Sequence, residues 1–144
     1  MTAVSDILKS KSNTTIHHVA PTALVFDVIK TMAQHSIGAL LVMEEGRIVG
    51  IFTERDYARK LVLQGRASGA TQVRDVMTRN VICVRPDQTS EECMALMTQN
   101  RLRHLPVVDA SGQLQGMVSI GDLVKAIIEA QRFQIEQLEQ YIKS

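Results

Sequence analysis

The sequence predicts an α/β fold (an α+β arrangement with small sheets) built from two copies of one strand-helix-strand-strand-helix unit. A motif of glycine, hydroxyl and aspartate occurs twice, as GIFTERD at residues 50–56 and as GMVSIGD at residues 116–122. Strand-like and helix-like stretches follow one another in the same order around both copies. The chain has 144 residues. Each half is therefore near the lower size limit for an independent core, and we expect the halves to pack as one globule.

The repeat covers most of the chain. Corresponding positions of the two motifs differ by 66 residues, the stretches 38–42 and 103–107 differ by 65, and the opening segments 4–8 and 73–77 differ by 69. The offset changes only where loops are predicted, as expected for a duplicated module. We therefore predict a first repeat at 1–65, a linker at 66–72, a second repeat at 73–128 and a C-terminal helix extension at 129–144.

Hydrophobic periodicity and turn residues define the elements of the first repeat. Val25, Val28 and Met32 recur at helical spacing after Thr22, a residue suited to cap a helix. Residues 39–43 are small and apolar, as in a buried strand, and a Glu-Gly turn separates them from a partner strand. The predicted elements are a short helix at 5–8, a strand at 16–19, a helix from Thr22 to about His35, strands at 39–43 and 48–52, and a helix at 53–63.

The second repeat is expected to follow the same order. Thr89 or Ser90 is a suitable cap for its first helix, which is expected to run through about Asn100. The predicted elements are a strand at 81–84, this helix, strands at 105–108 and 114–119, and a final helix from about Ile120.

Composition excludes several classes of function. The net charge of +1 gives no field that favours nucleic acid, and an aromatic content of 3% without Trp gives no stacking platform for single strands. No apolar run approaches the roughly 18 residues of a membrane helix, and the start lacks the features of an export signal. Cys83 and Cys93 fit no metal or redox spacing, and the adjacent strand residues His17 and His18 point to opposite faces. We predict a cytoplasmic protein without a metal site, a nucleic-acid partner or membrane insertion.

Each motif lies where a strand becomes a helix. Unpaired backbone N–H groups and the helix dipole favour an anion there. A hydroxyl and a carboxylate three residues apart, after a glycine turn, suit a phosphate and a ribose. The alternative is a purely structural role, because the same pair also forms a capping box at a helix start. Two copies in register, Thr53 with Asp56 and Ser119 with Asp122, favour ligand binding.

The duplicated motif resembles the nucleotide motif of cystathionine-β-synthase-type domains, called CBS domains. The run RHLPVVD at 103–109 before a hairpin and the openings Asp6-Ile7-Leu8 and Asp75-Val76-Met77 fit the same pattern. The resemblance covers about residues 4–128. It implies a pseudo-twofold pair of CBS repeats that pack through their sheets, with two clefts for adenosine-containing ligands. It also implies a stand-alone regulatory module of the signal-transduction type.

The resemblance assigns roles to individual residues. Asp56 and Asp122 would accept the ribose hydroxyls, and Thr53 and Ser119 would contact phosphate or ribose oxygens. Arg55 either reaches phosphate or stays solvated on its helix. Each cleft would be composite, with residues from both repeats. The Asp122 cleft would add Ile37, Gly38 and Ala39, and its adenine would lie against the segment from Thr14 through Ile16 to His17. The Asp56 cleft would add Leu102, Arg103 and His104, and its adenine would lie near Asn80 to Cys83.

The two clefts are predicted to differ. Arg103 and His104 stand where the first repeat has Gly38 and Ala39. Arginine is a permanent forked donor for phosphate, and histidine adds a pH-sensitive donor. The clefts are therefore expected to differ in affinity or in ligand.

The last helix extends past the repeat. Ile128, Ile135 and Ile142 are spaced by seven, with Leu138 between them and Gln131 at one core position, which gives a short heptad seam. Either this helix pairs with another chain, or it is an amphipathic helix folded back on its own domain. Modules of the resembled family pair into flat dimers, so the resemblance implies a homodimer that this helix would clamp.

These observations predict an energy-sensing module in which an adenine nucleotide binds between the repeats and an unknown partner protein reads the resulting conformation. AMP is the preferred ligand because the clefts are expected to be small and positive charge is limited. ADP, ATP, NAD(H) and S-adenosylmethionine are left open. A ligand-free interaction scaffold is the second class of function. An enzyme is disfavoured, since no catalytic nucleophile–base–acid set is recognised and the two aspartates are expected in separate clefts.

Overall fold

A computed structural model describes residues 2–11 and 15–143 of the chain, and it has the mixed α/β class that the sequence predicts. In chain order the elements are α1 (Val4–Ser10), β1 (His18–Val19), α2 (Val25–His35), β2 (Ala39–Glu44), β3 (Arg47–Thr53), α3 (Glu54–Asp56), α4 (Ser90–Asn100), β4 (His104–Val108), β5 (Leu114–Ser119) and α5 (Ile120–Lys143). α3 continues as a π-helical segment at Tyr57–Val62, and short 3₁₀ turns lie at Ser68–Ala70 and Val73–Asp75.

The chain divides into two compact units. The first, called the central unit, consists of residues 16–81. The second, called the terminal unit, consists of the described residues 2–11, 15 and 82–143. Each unit has its own sheet, its own core and one copy of the hydroxyl-acid motif.

The central unit contains a three-stranded sheet in the order β1-β2-β3. β1 runs parallel to β2, and β2 and β3 form an antiparallel hairpin. Glu45 and Gly46 both have positive φ, 52° and 75°, as in the tight two-residue turns that suit hairpin strands. The predicted hairpin is confirmed, and its strands are slightly longer than predicted.

The terminal unit contains a two-stranded sheet of β4 and β5. The prediction of a strand at 81–84 is wrong, because among the described residues this segment pairs only through an isolated bridge between Val84 and Val107. The Val84 N–H donates to the Pro106 carbonyl and the Val108 N–H donates to the Val84 carbonyl, both at 2.9 Å. Pro86 follows two residues later, and a proline has no N–H with which to extend such a ladder.

The caps predicted for the first long helix of each repeat have opposite outcomes. Thr89 caps α4 as predicted, since its hydroxyl accepts the Glu92 N–H at 3.2 Å. The prediction that Thr22 caps α2 is wrong, because α2 begins later, after Leu24. The Val25 N–H at that start instead donates to the Thr71 carbonyl at 2.9 Å. A distant backbone carbonyl therefore accepts one of the N–H groups that a helix start leaves without an intrahelical partner.

Each unit contains the opening segment of the other repeat. The Val4 N–H at the start of α1 donates to the Gln88 carbonyl at 2.8 Å, within the terminal unit. The equivalent segment of the second repeat begins at Val73, whose N–H donates to the Ala23 carbonyl at 2.8 Å, within the central unit. The compact units in space therefore combine segments that are far apart in the sequence.

The motif glycines give these opening segments room to pack. Gly50 lies within β3 and Gly116 within β5, so the predicted glycine turn is wrong. A Cβ at Gly116 would lie 2.8 Å from Cδ2 of Leu8, and a Cβ at Gly50 would lie 2.8 Å from Cγ of Met77. Leu8 and Met77 are equivalent positions of the repeat. The glycine of each motif thus serves close packing in its own unit.

Aliphatic side chains dominate both cores. Phe52 is the one aromatic residue among the fully buried core side chains of the described chain. The central core consists of Val25, Val28, Met32, Leu40, Val42, Phe52, Leu61, Val73, Val76 and Met77. The terminal core consists of Val4, Ile7, Val84, Cys93, Met97, Leu105, Val107, Val118 and Leu123.

α5 is one continuous helix of 24 residues. Leu123 is its buried residue, and residues 131–143 are exposed throughout. Beyond the repeat, the helix is therefore not folded back onto the described residues, whereas its first turns pack into the terminal core through Leu123 and Ala126. Within the described part of the chain, no helix combines the length and apolarity needed to cross a membrane.

Candidate functional site

The first hydroxyl-acid motif forms a capping box where β3 becomes α3. The Thr53 N–H donates to Oδ2 of Asp56 at 3.0 Å, and the Asp56 N–H donates to the Thr53 hydroxyl at 3.2 Å. These reciprocal bonds satisfy donors that a helix start leaves without intrahelical partners. They fix the carboxylate and the hydroxyl side by side at the N-terminal end of the helix.

The second motif has the same geometry where β5 becomes α5. The Ser119 N–H donates to Oδ2 of Asp122 at 2.8 Å, and the Asp122 N–H donates to the Ser119 hydroxyl at 3.2 Å. The capping interpretation raised from sequence is therefore confirmed at both motifs. A cap and a ligand site are compatible, because capping does not use all the acceptor positions of a carboxylate.

The start of the second strand of each repeat lies beside the motif of its own unit. The Gly38 carbonyl accepts the Glu54 N–H at 3.2 Å, and the Arg103 carbonyl accepts the Ile120 N–H at 2.9 Å. In the ladders, Ala39 pairs with Thr53 and His104 pairs with Ser119. In each unit the start of this strand therefore lies beside a helix N-terminus, where the dipole favours an anion. The resemblance assigns Gly38 and Ala39 to the cleft of Asp122, and Arg103 and His104 to the cleft of Asp56, and these composite assignments stay predictions.

The Asp56 carboxylate is held by internal partners on both oxygens. Besides the capping bond, Oδ2 accepts the Thr53 hydroxyl at 3.2 Å. Oδ1 accepts the Thr78 hydroxyl at 2.9 Å and forms an ion pair with Nζ of Lys60 at 3.0 Å. The side chain of Asp56 is 7% exposed. This carboxylate has the environment of a structural acid.

Asp122 is more accessible. Its side chain is 22% exposed, and Oδ2 forms an ion pair with Nζ of Lys11 at 2.9 Å. The same Nζ donates to the Met117 carbonyl at 2.8 Å. The repeat is therefore symmetric in its caps and asymmetric in the groups around its carboxylates.

Lys60 and Lys11 are neighbours of the two carboxylates that the sequence motifs do not include. Lys60 follows Asp56 by four residues, a spacing that brings side chains together on one helix face and was available in the sequence. Lys11 is distant from Asp122 along the chain, and no local pattern indicates their contact. The contact arises because the opening segment that ends near Lys11 belongs to the terminal unit.

The environment of Asp122 lowers the pKa of its carboxyl group. Burial favours the neutral acid and acts to raise this pKa. The Ser119 backbone N–H, the hydrogen bond and charge of Lys11, and the Ser119 hydroxyl outweigh burial, so the net shift is below the ordinary value of 3.8. The ionised carboxylate is therefore the form that the folded protein stabilises.

We expect Lys11→Met to lower the free energy of unfolding by about 1 kcal/mol at pH 7, because a partly exposed ion pair contributes about that much. Asp122 has a depressed pKa, so its contribution is present above the unfolded-state pKa and is lost as the pH falls through the folded-state pKa. The difference between wild type and Lys11→Met should therefore shrink below about pH 4. Urea unfolding of both proteins at pH 7 and at pH 3 measures this difference in the free energy of unfolding.

Lys9→Met is the matched control, because Lys9 is an exposed lysine in the last turn of α1, two residues before Lys11. It should change stability little at either pH. A loss in Lys11→Met that is the same at both pH values would contradict a charge-based role for Lys11.

The remaining residues predicted for the site lie at several places in the two units. Arg55 is exposed on α3 and Asn80 is exposed at the end of the central unit. Ile37 and Leu102 are half-buried before β2 and β4, and Cys83 is half-buried before Val84. Thr14 lies outside the described residues. Ile16 and His17 immediately precede β1 in the central unit.

His17 makes a contact that the sequence did not indicate. Its ring stacks on His35 with centroids 3.9 Å apart and an interplanar angle of 24°. Burial lowers the pKa of His17, and the charges of His35 and His18 lower it further. A neutral His17 ring is therefore favoured beside the position predicted for adenine.

Neither metal ligation nor an activated thiol is indicated by the described side chains. Residues 2–11 and 15–143 contain no group of three His, Cys, Asp or Glu residues placed to hold a metal ion. Burial raises the pKa of the thiols of Cys83 and Cys93, and Glu92 raises that of Cys93 further. Both thiols are therefore favoured in the protonated form, which is a poor nucleophile.

A family model described as CBS domain matches the chain twice, at residues 4–63 and 73–129. The chain belongs to the CBS domain family. The two repeats recognised in the sequence, and the fold class drawn from them, are thereby confirmed.

Similar proteins cover nearly the whole chain. The CBS domain-containing protein CBSX3, mitochondrial, from Arabidopsis thaliana is 41% identical over an alignment of 150 positions, which covers 99% of this chain and 72% of that protein. A solved CBS-domain structure from Burkholderia ambifaria MC40-6 is 55% identical with a TM-score of 0.86, and the match covers 90% of this chain and 96% of that one.

Two similar structures contain adenosine ligands. The CBS domain pair of protein MJ0100, solved with 5′-methylthioadenosine and S-adenosyl-L-methionine, is 29% identical with a TM-score of 0.75 and covers 90% of this chain and 98% of that one. CBSX2, solved in complex with AMP, is 26% identical with a TM-score of 0.73 and covers 91% of this chain and 99% of that one. CBS pairs similar to this chain therefore bind adenosine compounds.

Proposed function

We propose that this protein is a regulatory module that binds an adenosine ligand, with AMP as the first candidate, and signals the bound state to a partner protein by a conformational change. One observation carries the proposal. A hydroxyl and a carboxylate are fixed together at a helix N-terminus in both units, in a chain whose CBS relatives CBSX2 and MJ0100 hold AMP, S-adenosylmethionine and methylthioadenosine.

The chemistry of the motif fits a nucleotide. An ionised carboxylate accepts two hydrogen bonds from neighbouring ribose hydroxyls, and a hydroxyl with helix N–H groups suits a phosphate. Phosphate is further favoured by Arg103, which is exposed and is assigned with His104 to the cleft of Asp56. The proposed contacts are Thr53, Arg55, Asp56, Ser119, Asp122, Arg103, His104, Ile37, Gly38, Ala39, Leu102, Thr14, Ile16, His17, Asn80 and Cys83.

Within this proposal, Asp122 is the principal ribose acceptor. Its side chain is three times as exposed as that of Asp56, 22% against 7%. Lys11 is a flexible cation that can leave the carboxylate for a phosphate when a nucleotide binds. Asp56, by contrast, would have to give up bonds from Thr53, Thr78 and Lys60 to accept a ribose. The asymmetry favours one high-affinity site for each chain.

Two other readings compete with this proposal. A ligand-free scaffold is favoured by the internal partners that both carboxylates already have. NAD(H), ADP or ATP binding is consistent with the adenosine chemistry of the same motif. A regulatory and not a catalytic role is proposed because the family model matched is a CBS domain.

The location and assembly of the protein stay predictions. The cytoplasmic location drawn from sequence is not strengthened by the relative from Arabidopsis, which is named mitochondrial. The homodimer and the regulated partner follow from the family resemblance.

We expect AMP to bind the purified protein in titration calorimetry, and Asp122→Ala to weaken that binding by at least about 100-fold. Two hydrogen bonds to a charged acceptor would be lost, each contributing about 1.5–3 kcal/mol, and roughly 2.7 kcal/mol corresponds to 100-fold in affinity. ATP, NADH and S-adenosylmethionine are titrated in parallel, with GMP as the control for the base.

Asp87→Ala is the matched control variant, because Asp87 is a highly exposed carboxylate of the same unit. It should bind AMP as wild type does. The absence of heat with every adenosine ligand, together with an unchanged melting temperature, would contradict nucleotide binding and leave the scaffold. Loss of binding in Asp56→Ala but not in Asp122→Ala would assign the ligand to the other motif.

A further inference from the structure

α5 carries an apolar stripe that the rest of the described chain leaves uncovered. Val124, Ile128, Ile135, Leu138 and Ile142 are all exposed, from 42% at Val124 to 80% at Ile142. Successive members of this set are three, four or seven residues apart, so they lie on one side of the helix. Contiguous apolar surface of this kind on a folded chain marks an interaction site.

The stripe has the register of a coiled-coil seam. Ile128, Ile135 and Ile142 occupy the a positions, and Val124, Gln131 and Leu138 occupy the d positions. Lys125, Arg132 and Glu139 follow the d positions and occupy e, beside the seam. A seam of this length with one polar position is suited to a helix of the same length and spacing.

We propose that the occupant of this seam is α5 of a second copy of the chain, packed antiparallel. In that arrangement a residues of one copy meet d residues of the other. Ile128 packs on Leu138 of the second copy, Ile142 packs on Val124, and Ile135 packs beside Gln131. Each of these contacts occurs twice, so the interface is self-complementary and closes as a twofold dimer.

The charges beside the seam decide the helix direction. In an antiparallel pair, e positions face e positions, so Lys125 lies opposite Glu139 of the second copy on both halves of the dimer. In a parallel pair, e faces g, and the residues opposite Lys125, Arg132 and Glu139 would be Ile120, Ile127 and Gln134. Two opposite-charge pairs therefore form in the antiparallel dimer and none in the parallel one.

The polar residues at the centre of the seam weaken the association little. Gln131 lies next to Ile135, and its flexible side chain can extend its amide to solvent at the edge of the seam. Arg132 meets its own counterpart at the centre, where both guanidinium groups are exposed and screened by salt. The apolar layers on both sides therefore determine the association.

The first test compares two aspartate substitutions at equally exposed positions. Leu138 and Phe133 are each 62% exposed, but Leu138 is at d and Phe133 is on the opposite side of the helix. Sedimentation equilibrium of the full chain should show a wild-type dimer, a dimer for Phe133→Asp, and at least a 10-fold higher dissociation constant for Leu138→Asp. Because neither side chain is buried within its own chain, both variants should still unfold cooperatively, as the wild type does.

A monomeric wild type at 100 micromolar chain, a concentration of about 10⁻⁴ M at which weak dimers are seen, would overturn the proposal. So would a Leu138→Asp variant that dimerises as tightly as wild type, because another surface would then hold the dimer. Both results are independent of nucleotide binding, which is measured on the same variants by calorimetry.

The second test uses charge reversal to establish the helix direction. Lys125→Glu and Glu139→Lys should each weaken the homodimer, by roughly 3-fold to 30-fold for two exposed pairs. An equimolar mixture of the two variants should restore wild-type association. In the mixed dimer one chain is acidic at both positions and the other is basic at both, so each facing pair again joins opposite charges. Single variants that dimerise as wild type does would overturn the antiparallel arrangement.

Discussion

Phe52→Ala should lower the free energy of unfolding by about 3–5 kcal/mol, the usual cost of truncating a buried phenylalanine to alanine. Phe52 is fully buried in β3 and packs in the central core with Leu40, Leu61 and Val73. The loss has two parts, the transfer of the ring to water and the cavity that an incompletely relaxed core leaves behind. A single domain of this size has little stability to spare, so this is a large fraction of the total.

Urea unfolding measures this loss, with Phe26→Ala as the matched control. Phe26 is also a phenylalanine of the central unit, but it lies on α2 and is 56% exposed. Its truncation should change stability by less than about 1 kcal/mol. Equal losses in the two variants would contradict the assignment of Phe52 to the core.

Phe52 also connects the core to the site. It immediately precedes Thr53, whose N–H and hydroxyl bond to Asp56. The strand that buries Phe52 therefore fixes where the capping box begins. Loss of the ring is expected to loosen the motif of the central unit before that of the terminal unit, because the two cores are built from separate residues.

The hairpins could be predicted from sequence because their signals are local. Residues 39–43 read as a buried strand, and Glu45 and Gly46 have the positive φ that their turn requires. The hydroxyl-acid motif was likewise predictable, since three-residue spacing brings both groups to a helix start. Each of these features depends on residues that are close in the chain.

The features that the sequence did not predict depend on partners that are distant in the chain. Thr22 has the chemistry of a cap, but the carbonyl of Thr71 supplies the bond at the start of α2 instead. Lys11 reaches Asp122 across most of the sequence. A pattern read along the chain contains neither partner, because neither spacing has a local period.

The exchange of opening segments explains two of these differences together. Leu8 and Met77 pack where Gly116 and Gly50 lack a side chain, so each motif glycine serves a segment from the other repeat. The same exchange brings Lys11 to Asp122 and Thr78 to Asp56. Duplication of the sequence therefore gave two similar caps with different neighbours, and the neighbours determine how open each carboxylate is.

Asp56→Ala is expected to lower the free energy of unfolding by about 2–4 kcal/mol. The variant loses the half of the capping box in which Oδ2 accepts the Thr53 N–H, a hydrogen bond that contributes about 0.5–1.5 kcal/mol, while the Thr53 hydroxyl can still accept the backbone N–H of residue 56. It also loses a charged acceptor for the Thr78 hydroxyl, and such a hydrogen bond contributes about 1.5–3 kcal/mol. Lys60 keeps a solvent-exposed position and adds little. Thermal and urea unfolding of the variant measure the loss.

Asp122→Ala is the matched comparison, because it removes the same group from the same kind of cap. Its loss should be smaller, about 1–2 kcal/mol, since Asp122 is more exposed and lacks a counterpart of the Thr78 bond among the described contacts. Equal or reversed losses would contradict the division of the two acids into a structural one and an accessible one. We expect Asp56→Ala to lose much stability and keep its AMP affinity, and Asp122→Ala to lose little stability and its AMP affinity. That combination would establish that the duplicated motif has taken two different roles.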